Sequence, residues 1–256
     1  MRALITGASS GIGAAFARRL AAAGHDLILV ARRADRLSAL VDELRHGRSI
    51  AVDVWPADLA QSADLERLAE QIRALDGLDL LVNDAGFGVR GLFADADLAP
   101  QLDMVRVHDL ATMVLCHASL PAMLRRRRGR IVNVASTAAF LPVAGNAVYS
   151  AGKAFLVAFS EALQAEVAGS GVRVQALCPG FTYTEFHDTP TMLGFNRANV
   201  PGWMWMSADA VVAASLAALQ RGPVVVMPGW RNRLFIAATR FRPVFTLVRA
   251  VRRRWK

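Results

Sequence analysis

Short apolar runs alternate with longer amphipathic stretches along most of this chain. The runs are rich in Val, Ile and Leu, as expected of strands that are buried on both faces of a parallel sheet. Helical spacing of apolar residues fills the intervals, from a first helix at 14–23 to one at 149–167 that is apolar all round. The strand-like runs lie at 2–6, 26–31, 50–54, 79–83, 130–135, 172–177 and 223–227. The pattern predicts a doubly wound α/β fold with a seven-stranded parallel sheet and helices on both faces.

With 256 residues and a hydrophobic content of 54%, the chain can bury one large core, so we expect a single domain over 1–230 and an extension over 231–256. Cys116 and Cys178 are too few for a disulfide framework and fit a reducing cytoplasm. Because the first strand starts at residue 2, we expect no cleavable signal ahead of the fold. The longest charge-free helical stretch, Leu110 to Leu124, is shorter than the about twenty apolar residues of a membrane span, so no transmembrane segment is predicted.

The formal net charge of +9 comes entirely from the C-terminal extension, where eight Arg and one Lys occur without any acid. The apolar residues after Pro243 share one helical face, namely Val244, Leu247, Val248, Val251 and Trp255. Two interpretations are open. In the first, the basic amphipathic helix docks to an anionic membrane surface. In the second, the extension folds back over the substrate cleft or a subunit contact through Leu234, Phe235, Phe241 and Phe245. Nucleic-acid binding is not predicted, because the apolar face would have no use there.

A glycine-rich turn follows the first predicted strand directly and leads into the first predicted helix. Gly7, Gly11 and Gly13 let the backbone turn tightly and approach a pyrophosphate, and the helix N-terminus offers N–H groups at a positive dipole end. Ser9 and Ser10 add hydroxyl donors. This order of strand, turn and helix predicts a Rossmann-like dinucleotide site.

Tyr149 and Lys153 are four positions apart, which places them on the same face of the predicted helix. The ammonium would favour phenolate and lower the tyrosine pKa from its usual value of about 10 toward the range useful for proton exchange. Ser136 follows the apolar run at 131–135 and is placed to donate a second hydrogen bond to the same oxygen. These side chains predict acid–base chemistry at a carbonyl or alcohol oxygen.

Together these motifs resemble the short-chain dehydrogenase/reductase family, in its order and over about residues 1–185. The segments that carry the resemblance are Thr6-Gly7-x-x-x-Gly11-x-Gly13, Asn83-Asp-Ala-Gly86, Ser136, Tyr149-x-x-x-Lys153 and Pro179-Gly180. The resemblance implies hydride transfer between a nicotinamide and a carbonyl or alcohol carbon. By this resemblance Tyr149 is the general acid/base, Ser136 holds the substrate oxygen, and Lys153 also binds the cofactor ribose. It further implies a homodimer or homotetramer.

The end of the second predicted strand, where NAD sites of this kind carry an acid, reads Val30-Ala-Arg32-Arg33. Two guanidiniums favour a 2′-phosphate, so we expect NADP(H) to be preferred, with NAD(H) as the alternative. No metal site is predicted. The remaining cofactor contacts that are predicted from the loop or implied by the resemblance are Gly7, Ser9, Ser10, Gly11, Ile12, Gly13, Asp58, Asn83, Ala85, Gly86, Tyr149, Lys153, Pro179, Gly180, Thr182 and Thr184.

Two positions depart from the family pattern. His108, thirteen residues before Pro121, stands where the family has an asparagine that anchors a water leading to the lysine. Histidine could act there as a proton relay, since its unperturbed pKa is near neutrality, or it could be a merely buried or surface residue. Asp84 replaces another common asparagine, and we interpret it as a structural acceptor of backbone N–H bonds.

The segment 181–208 corresponds to the family's variable substrate lobe. Its large apolar residues are Phe181, Tyr183, Phe186, Met192, Leu193, Phe195, Trp203, Met204, Trp205 and Met206. They suit a lipophilic carbonyl or alcohol, such as an acyl chain, a sterol or a retinoid-like molecule, or else form a lid that only packs on the core. We expect an NADP(H)-dependent oxidoreductase, cytoplasmic or peripheral at the inner face of a membrane. The alternative is a non-catalytic dinucleotide-binding regulator or membrane-surface scaffold.

Overall fold

The computed structural model describes residues 1–192 and 194–239, most of them in alternating strands and helices. The strands are β1 Arg2–Thr6, β2 Asp26–Ala31, β3 Val52–Pro56, β4 Leu78–Asn83, β5 Gly129–Val134, β6 Val172–Leu177, β7 Thr182–Tyr183, β8 Met206–Ser207 and β9 Val225–Val226. The helices are α1 Gly11–Ala22, α2 Ala34–Arg45, α3 Ser62–Ala74, α4 Leu98–Val105, α5 Ala111–Arg125, α6 Ala147–Glu166, α7 Ala208–Arg221 and α8 Trp230–Thr239. A π-helical segment, Arg106–Leu110, joins α4 to α5. Short 3-10 turns lie at Thr137–Ala139, Glu185–Asp188, Pro190–Met192, Arg197–Asn199 and Gly202–Met204.

Seven parallel strands form one sheet in the order β3-β2-β1-β4-β5-β6-β9, and β7 pairs separately with β8. Successive side chains of β1 face opposite sides of the sheet, so Ala3 and Ile5 join one core cluster and Leu4 joins the other. Helices α1, α2 and α7 contribute to the first cluster, and α3, α5 and α6 contribute to the second. The predicted doubly wound α/β fold with helices on both faces is confirmed. The strand order reverses between β1 and β4, which opens a crevice at their carboxyl ends.

The predicted strands and helices are present with small shifts at their ends. The third strand moves to Val52–Pro56, because its pairing with β2 begins later than the apolar run. The seventh shortens to Val225–Val226, at the edge of the sheet. The helix predicted at 149–167 is Ala147–Glu166, and the first helix begins already at Gly11, inside the glycine-rich turn. These shifts leave every predicted motif on the expected element.

Within the described part of the chain, one helical stretch, Leu98–Arg125, is long and apolar enough to cross a membrane by length and composition. It exceeds the charge-free stretch from Leu110 to Leu124 because α4, the π-helical segment and α5 are continuous. Core helices of soluble proteins meet the same criterion, and α5 packs on α3 and on the sheet. The basic amphipathic helix predicted after Pro243 lies outside the described residues, as do Phe241, Phe245 and Leu193.

Candidate active site

A cleft of about 1500 Å³ lies at the carboxyl ends of the parallel strands, where the strand order reverses. It collects most of the predicted site residues from positions far apart in the sequence. These are Gly7, Ser9, Ser10, Gly11, Ile12, Arg32, Arg33, Asp58, Ala85, Gly86, Ser136, Tyr149, Lys153, Pro179, Gly180, Thr182 and Thr184. Three others, Gly13, Asn83 and His108, are buried outside this lining.

The glycine-rich loop has the backbone that a pyrophosphate site requires. Gly7 and Gly11 have positive φ angles of 69° and 58°, which residues with a Cβ rarely adopt. At Gly13 a Cβ would lie 2.5 Å from the Gly7 carbonyl oxygen, so only glycine allows the helix to start this close to the loop. The side chain of Ser10 does not cap α1, which leaves N–H groups of the first turn available to a ligand. The loop therefore fits a dinucleotide phosphate.

Arg33 is the arginine that reaches the glycine-rich loop. Its Nη2 donates to Ser9 Oγ at 3.0 Å and to Ser10 Oγ at 3.1 Å. Its Nη1 donates to Glu185 at 3.2 Å, and Arg36 donates to the same carboxylate at 2.6 Å. No sequence motif links Arg36 to Glu185, which are 149 residues apart, so neither was predicted. The guanidinium of Arg33 thus lies where the 2′-phosphate was expected, already paired with an acid.

Ser136, Tyr149 and Lys153 meet in the cleft, between the end of β5 and the first turns of α6. Lys153 is only 6% exposed, and its Nζ donates to the Val134 carbonyl at 2.8 Å. The same Nζ lies 5.7 Å from the centre of the Tyr149 ring. Ser136 Oγ accepts the backbone N–H of Ala138 at 3.1 Å, so its own hydrogen can be donated to a second partner. The structure therefore brings two hydroxyl donors and one ammonium together.

The expected lowering of the tyrosine pKa is wrong for this structure. Burial raises the pKa of Tyr149 to about 12, although a hydrogen bond with Ser136 acts in the opposite direction. Burial also lowers the pKa of Lys153 to about 8, against the charge of Asp84. Desolvation outweighs an ammonium that is 5.7 Å from the ring and held by a backbone carbonyl. Tyr149 is consequently a protonated phenol at neutral pH.

His108 lies in the π-helical segment, beside the cleft and 2% exposed. Its Nε2 accepts the backbone N–H of Phe87 at 3.1 Å. Burial, and then the charge of Lys153, hold the pKa of His108 well below its usual value, so the imidazole is neutral with its proton on Nδ1. Its ring meets the Tyr149 ring edge-on, with centres 5.8 Å apart. His108 is therefore a buried residue that holds the loop after β4, and its relay role stays a prediction.

Asn83 does not line the cleft as predicted. Its side chain is buried beneath the loop, where Nδ2 donates to Asn133 Oδ1 at 2.8 Å. Asn133 Nδ2 donates in turn to Ser160 Oγ at 3.0 Å, and Ser160 donates to the Leu156 carbonyl at 2.6 Å. Side chains alternate along a strand, so a residue at the end of β4 can turn toward the core while the residues after it reach the cleft. The resulting network joins β4, β5 and α6 in the core.

Asp84 combines a structural contact with an unusual ionisation. Its carboxylate accepts the backbone N–H of Gly13 in the first turn of α1, where the helix dipole favours an anion. Its own N–H donates to Thr6 Oγ1 at 3.1 Å. These contacts agree with the structural role expected of it. Burial nevertheless raises the pKa of Asp84 to about 8, against the opposing charge of Lys153.

We expect Asp84→Asn to stabilise the protein more as the pH rises. The folded-state pKa of about 8 exceeds the about 3.9 of an unfolded aspartate, so the wild-type protein loses stability between about pH 4 and pH 8. Asparagine still accepts from Gly13 without ionising, and at about 1.4 kcal/mol per pKa unit the gain has an upper limit of about 5 kcal/mol at pH 8. Urea unfolding from pH 5 to 9 measures it, with the exposed Asp53→Asn on β3 as control. Parallel pH profiles for the wild type and Asp84→Asn would contradict this expectation.

The other half of the cleft is apolar. Five residues predicted for the substrate lobe line it, namely Phe181, Phe186, Met192, Phe195 and Met204. Trp205 is buried instead, with its ring stacked on Tyr183 at 4.9 Å, whereas Trp203 is exposed. His187, which had not been singled out, also lines the cleft, and burial lowers its pKa to about 4. The segment is therefore both a pocket wall and a packed aromatic cluster.

The beginning of the C-terminal extension also belongs to this cleft. Phe235 and Ile236 line it, whereas Leu234 is 63% exposed. Asn232 Nδ2 donates to the Pro228 carbonyl at 3.1 Å, and the Asn232 side chain lies 2.7 Å from where a Cβ on Gly180 would stand. Among the described residues, Phe235 therefore folds over the cleft, as one of the two interpretations of the extension expected. The domain boundary at 230 stays a prediction.

Known proteins match this chain over most of its length. The family model for short chain dehydrogenases matches residues 1–191. The ketoacyl reductase HetN of Nostoc sp. is 37% identical over 181 residues, which are 70% of this chain and 62% of HetN. A short-chain dehydrogenase from Sphingobium yanoikuyae, solved in complex with NADPH, is 34% identical with a TM-score of 0.84, over 98% of this chain and 94% of that one. A bulky-bulky ketone specific alcohol dehydrogenase from Comamonas testosteroni is 31% identical with a TM-score of 0.81, over 98% and 92%. With its glycine-rich loop and its serine, tyrosine and lysine in one cleft, the chain belongs to the short-chain dehydrogenase family and is an oxidoreductase of CH–OH groups.

Proposed function

We propose that the chain transfers a hydride between NADP(H) and the carbonyl or secondary alcohol of a lipophilic substrate. The observation that carries the proposal is the position of Ser136, Tyr149 and Lys153 between a phosphate-binding loop and an apolar pocket. Arg33 supports NADP(H) over NAD(H). Its planar guanidinium hydrogen-bonds to Ser9 in the glycine-rich loop, and its shape suits a phosphate. The NADPH complex of the Sphingobium neighbour agrees with this preference.

The chain's own residues account for the proton transfer. Bound NADPH supplies the hydride to the carbonyl carbon. Ser136 and Tyr149 donate hydrogen bonds to the carbonyl oxygen, which polarises it and stabilises the charge that develops there. Because burial keeps Tyr149 protonated at neutral pH, the phenol can give its proton to that oxygen during reduction. Lys153 Nζ uses one donor on the Val134 carbonyl and retains two for a ribose hydroxyl and for the phenolate.

The lining of the pocket supports a lipophilic substrate. Large apolar side chains bury apolar surface, and methionines adapt to irregular shapes. Met192 and Met204 lie here among the rings of Phe181, Phe186 and Phe195. The Comamonas neighbour is named for bulky ketones and HetN for ketoacyl reduction. Acyl chains, sterols and retinoid-like carbonyls are therefore the classes we propose.

We expect kcat/KM to rise about three- to fourfold for each CH₂ added to a series of alkyl ketones, until the pocket is filled. Each buried methylene contributes about 0.8 kcal/mol, which corresponds to that factor. NADPH oxidation measured across the series tests this, with small hydroxyketones of equal heavy-atom count as the polar controls. A flat series, or a preference for the hydroxyketones, would show that the substrate is not lipophilic.

We propose a homodimer or homotetramer that covers the outer faces of α4, α5 and α6. Contiguous exposed apolar residues mark interaction surfaces, and Phe155 stacks on Phe159 at 5.7 Å on α6. The large apolar residues exposed on these helices and the π-helical segment are Leu98, Leu102, Val105, Leu110, Met113, Leu124 and Phe155. The first three recur at positions i, i+4 and i+7, which is one helical face.

Leu102→Glu is expected to shift the oligomer toward monomer, because it places a charge within an otherwise apolar interface. Size-exclusion chromatography with light scattering measures the mass at several protein concentrations. Gln71→Glu on α3 introduces the same side chain at an exposed position outside that surface and should leave the mass unchanged. A Leu102→Glu protein with the wild-type mass would place the interface elsewhere.

No observation among the described residues favours the non-catalytic regulator or scaffold. His108 was its sole sequence support, and the imidazole is accommodated as the acceptor for Phe87. Tight NADPH binding without turnover of any of the alkyl ketones or hydroxyketones would support that alternative. We further propose a cytoplasmic location, with the basic residues after Pro243 as the part that would contact an anionic inner membrane surface.

A further inference from the structure

Glu185 connects the substrate lobe to the residues expected to hold the 2′-phosphate. It opens the 3-10 turn Glu185–Asp188, and the next residue, Phe186, lines the apolar half of the cleft. The carboxylate of Glu185 instead contacts Arg33 Nη1 at 3.2 Å and Arg36 Nη1 at 2.6 Å. One carboxylate therefore joins the substrate lobe to the end of β2 and the start of α2.

Arg33 shares its donors between this carboxylate and the glycine-rich loop. Nη1 serves Glu185, while Nη2 serves the hydroxyls of Ser9 and Ser10. A guanidinium has five donors in a fixed plane and no acceptor. A phosphate beside Ser9 would meet Nη2 first, and to bind in a bidentate manner through both terminal nitrogens it would also need Nη1, which now donates to Glu185. Hydrogen bonds from Arg36, and more weakly from Arg33, hold the pKa of Glu185 below its usual range, so the carboxylate is ionised at neutral pH.

We propose that Glu185 is a specificity-determining residue that competes with the 2′-phosphate of NADPH for Arg33. NADPH must displace the carboxylate, whereas NADH carries a hydroxyl at that place and leaves the ion pair intact. Arg36 keeps the displaced carboxylate nearby, where it repels the phosphate. Exposed ion pairs are weak, so the competition lowers the ratio of the NADPH affinity to the NADH affinity without abolishing the preference for NADPH. This inference rests on the proposed NADP(H) preference.

The experiment measures the affinity of Glu185→Gln for four nucleotides by calorimetry. The pair 2′,5′-ADP and 5′-AMP isolates the adenosine end, and NADPH and NADH report on the whole cofactor. Loss of the competing charge should tighten 2′,5′-ADP and NADPH about three- to tenfold. The affinities for 5′-AMP and NADH should stay unchanged, because neither ligand places a phosphate on Arg33.

Asp188→Asn is the matched control, since Asp188 lies in the same turn but pairs with Arg197 at 2.6 Å. It should leave all four affinities unchanged. Weaker binding of 2′,5′-ADP to Glu185→Gln would overturn the inference, because Glu185 would then orient Arg33 for the phosphate. Equal tightening of 2′,5′-ADP and 5′-AMP would also overturn it, as a general effect of the loop. If neither the wild type nor Glu185→Gln prefers 2′,5′-ADP, the proposed cofactor preference fails together with this inference. If the wild type binds 2′,5′-ADP more tightly than 5′-AMP, and Glu185→Gln shows the same ratio of affinities, only the proposed role of Glu185 fails.

Discussion

Tyr149→Phe is expected to lower kcat/KM for carbonyl reduction by about 10²–10⁴-fold, the range that a positioned general acid contributes. The change removes one oxygen, which is the group proposed both to polarise the carbonyl and to protonate it. Ser136 keeps its place on the Ala138 N–H and still offers one hydrogen bond, so binding should survive better than turnover. Loss should therefore appear mainly in kcat, with the NADPH affinity within a few-fold of the wild type.

The chain supplies a matched control for this variant. Tyr183 is the other of its two tyrosines, is exposed, and stacks on Trp205 outside the cleft lining. Tyr183→Phe also removes one phenol oxygen and should retain wild-type turnover. Single-turnover assays with saturating NADPH separate the chemical step from binding and product release. Undiminished turnover by Tyr149→Phe would show that Tyr149 is not the general acid and that another group in the cleft donates the proton.

The sheet was predictable because each parallel strand is buried on both faces and therefore reads as an apolar run. The runs predicted the seven strands of the main sheet and their order along the chain, so the motifs fell on the expected turns, whereas the two-residue strands β7 and β8 were not predicted. The cleft followed from the same logic, since the carboxyl ends of the strands on either side of a switch point must converge. Ser136 and Tyr149 are found together there although they are thirteen positions apart in the sequence.

Other features depended on properties that spacing does not encode. The motif places Asn83 at the end of a strand. Whether its side chain faces the cleft or contacts Asn133 in the core depends on the local backbone conformation, which the motif does not specify. The direction of the Tyr149 pKa shift depends on how far burial exceeds the influence of nearby charges. The contact between Arg36 and Glu185 is tertiary and leaves no periodic signal.

Arg33→Gln is expected to weaken NADPH binding roughly 10- to 100-fold, since hydrogen bonds to charged groups contribute about 1.5–3 kcal/mol each. NADH binding should change by less than about threefold, because its ribose hydroxyl needs no cation, so the preference between the cofactors should fall or reverse. Arg32→Gln is the control: Arg32 also lines the cleft, but Arg33 is the one that bonds to Ser9 and Ser10. Fluorescence titration of both variants with both cofactors decides between the two arginines. A larger loss in Arg32→Gln would assign the 2′-phosphate to Arg32, and equal losses of NADPH and NADH in Arg33→Gln would make Arg33 a support of the glycine-rich loop rather than a phosphate ligand.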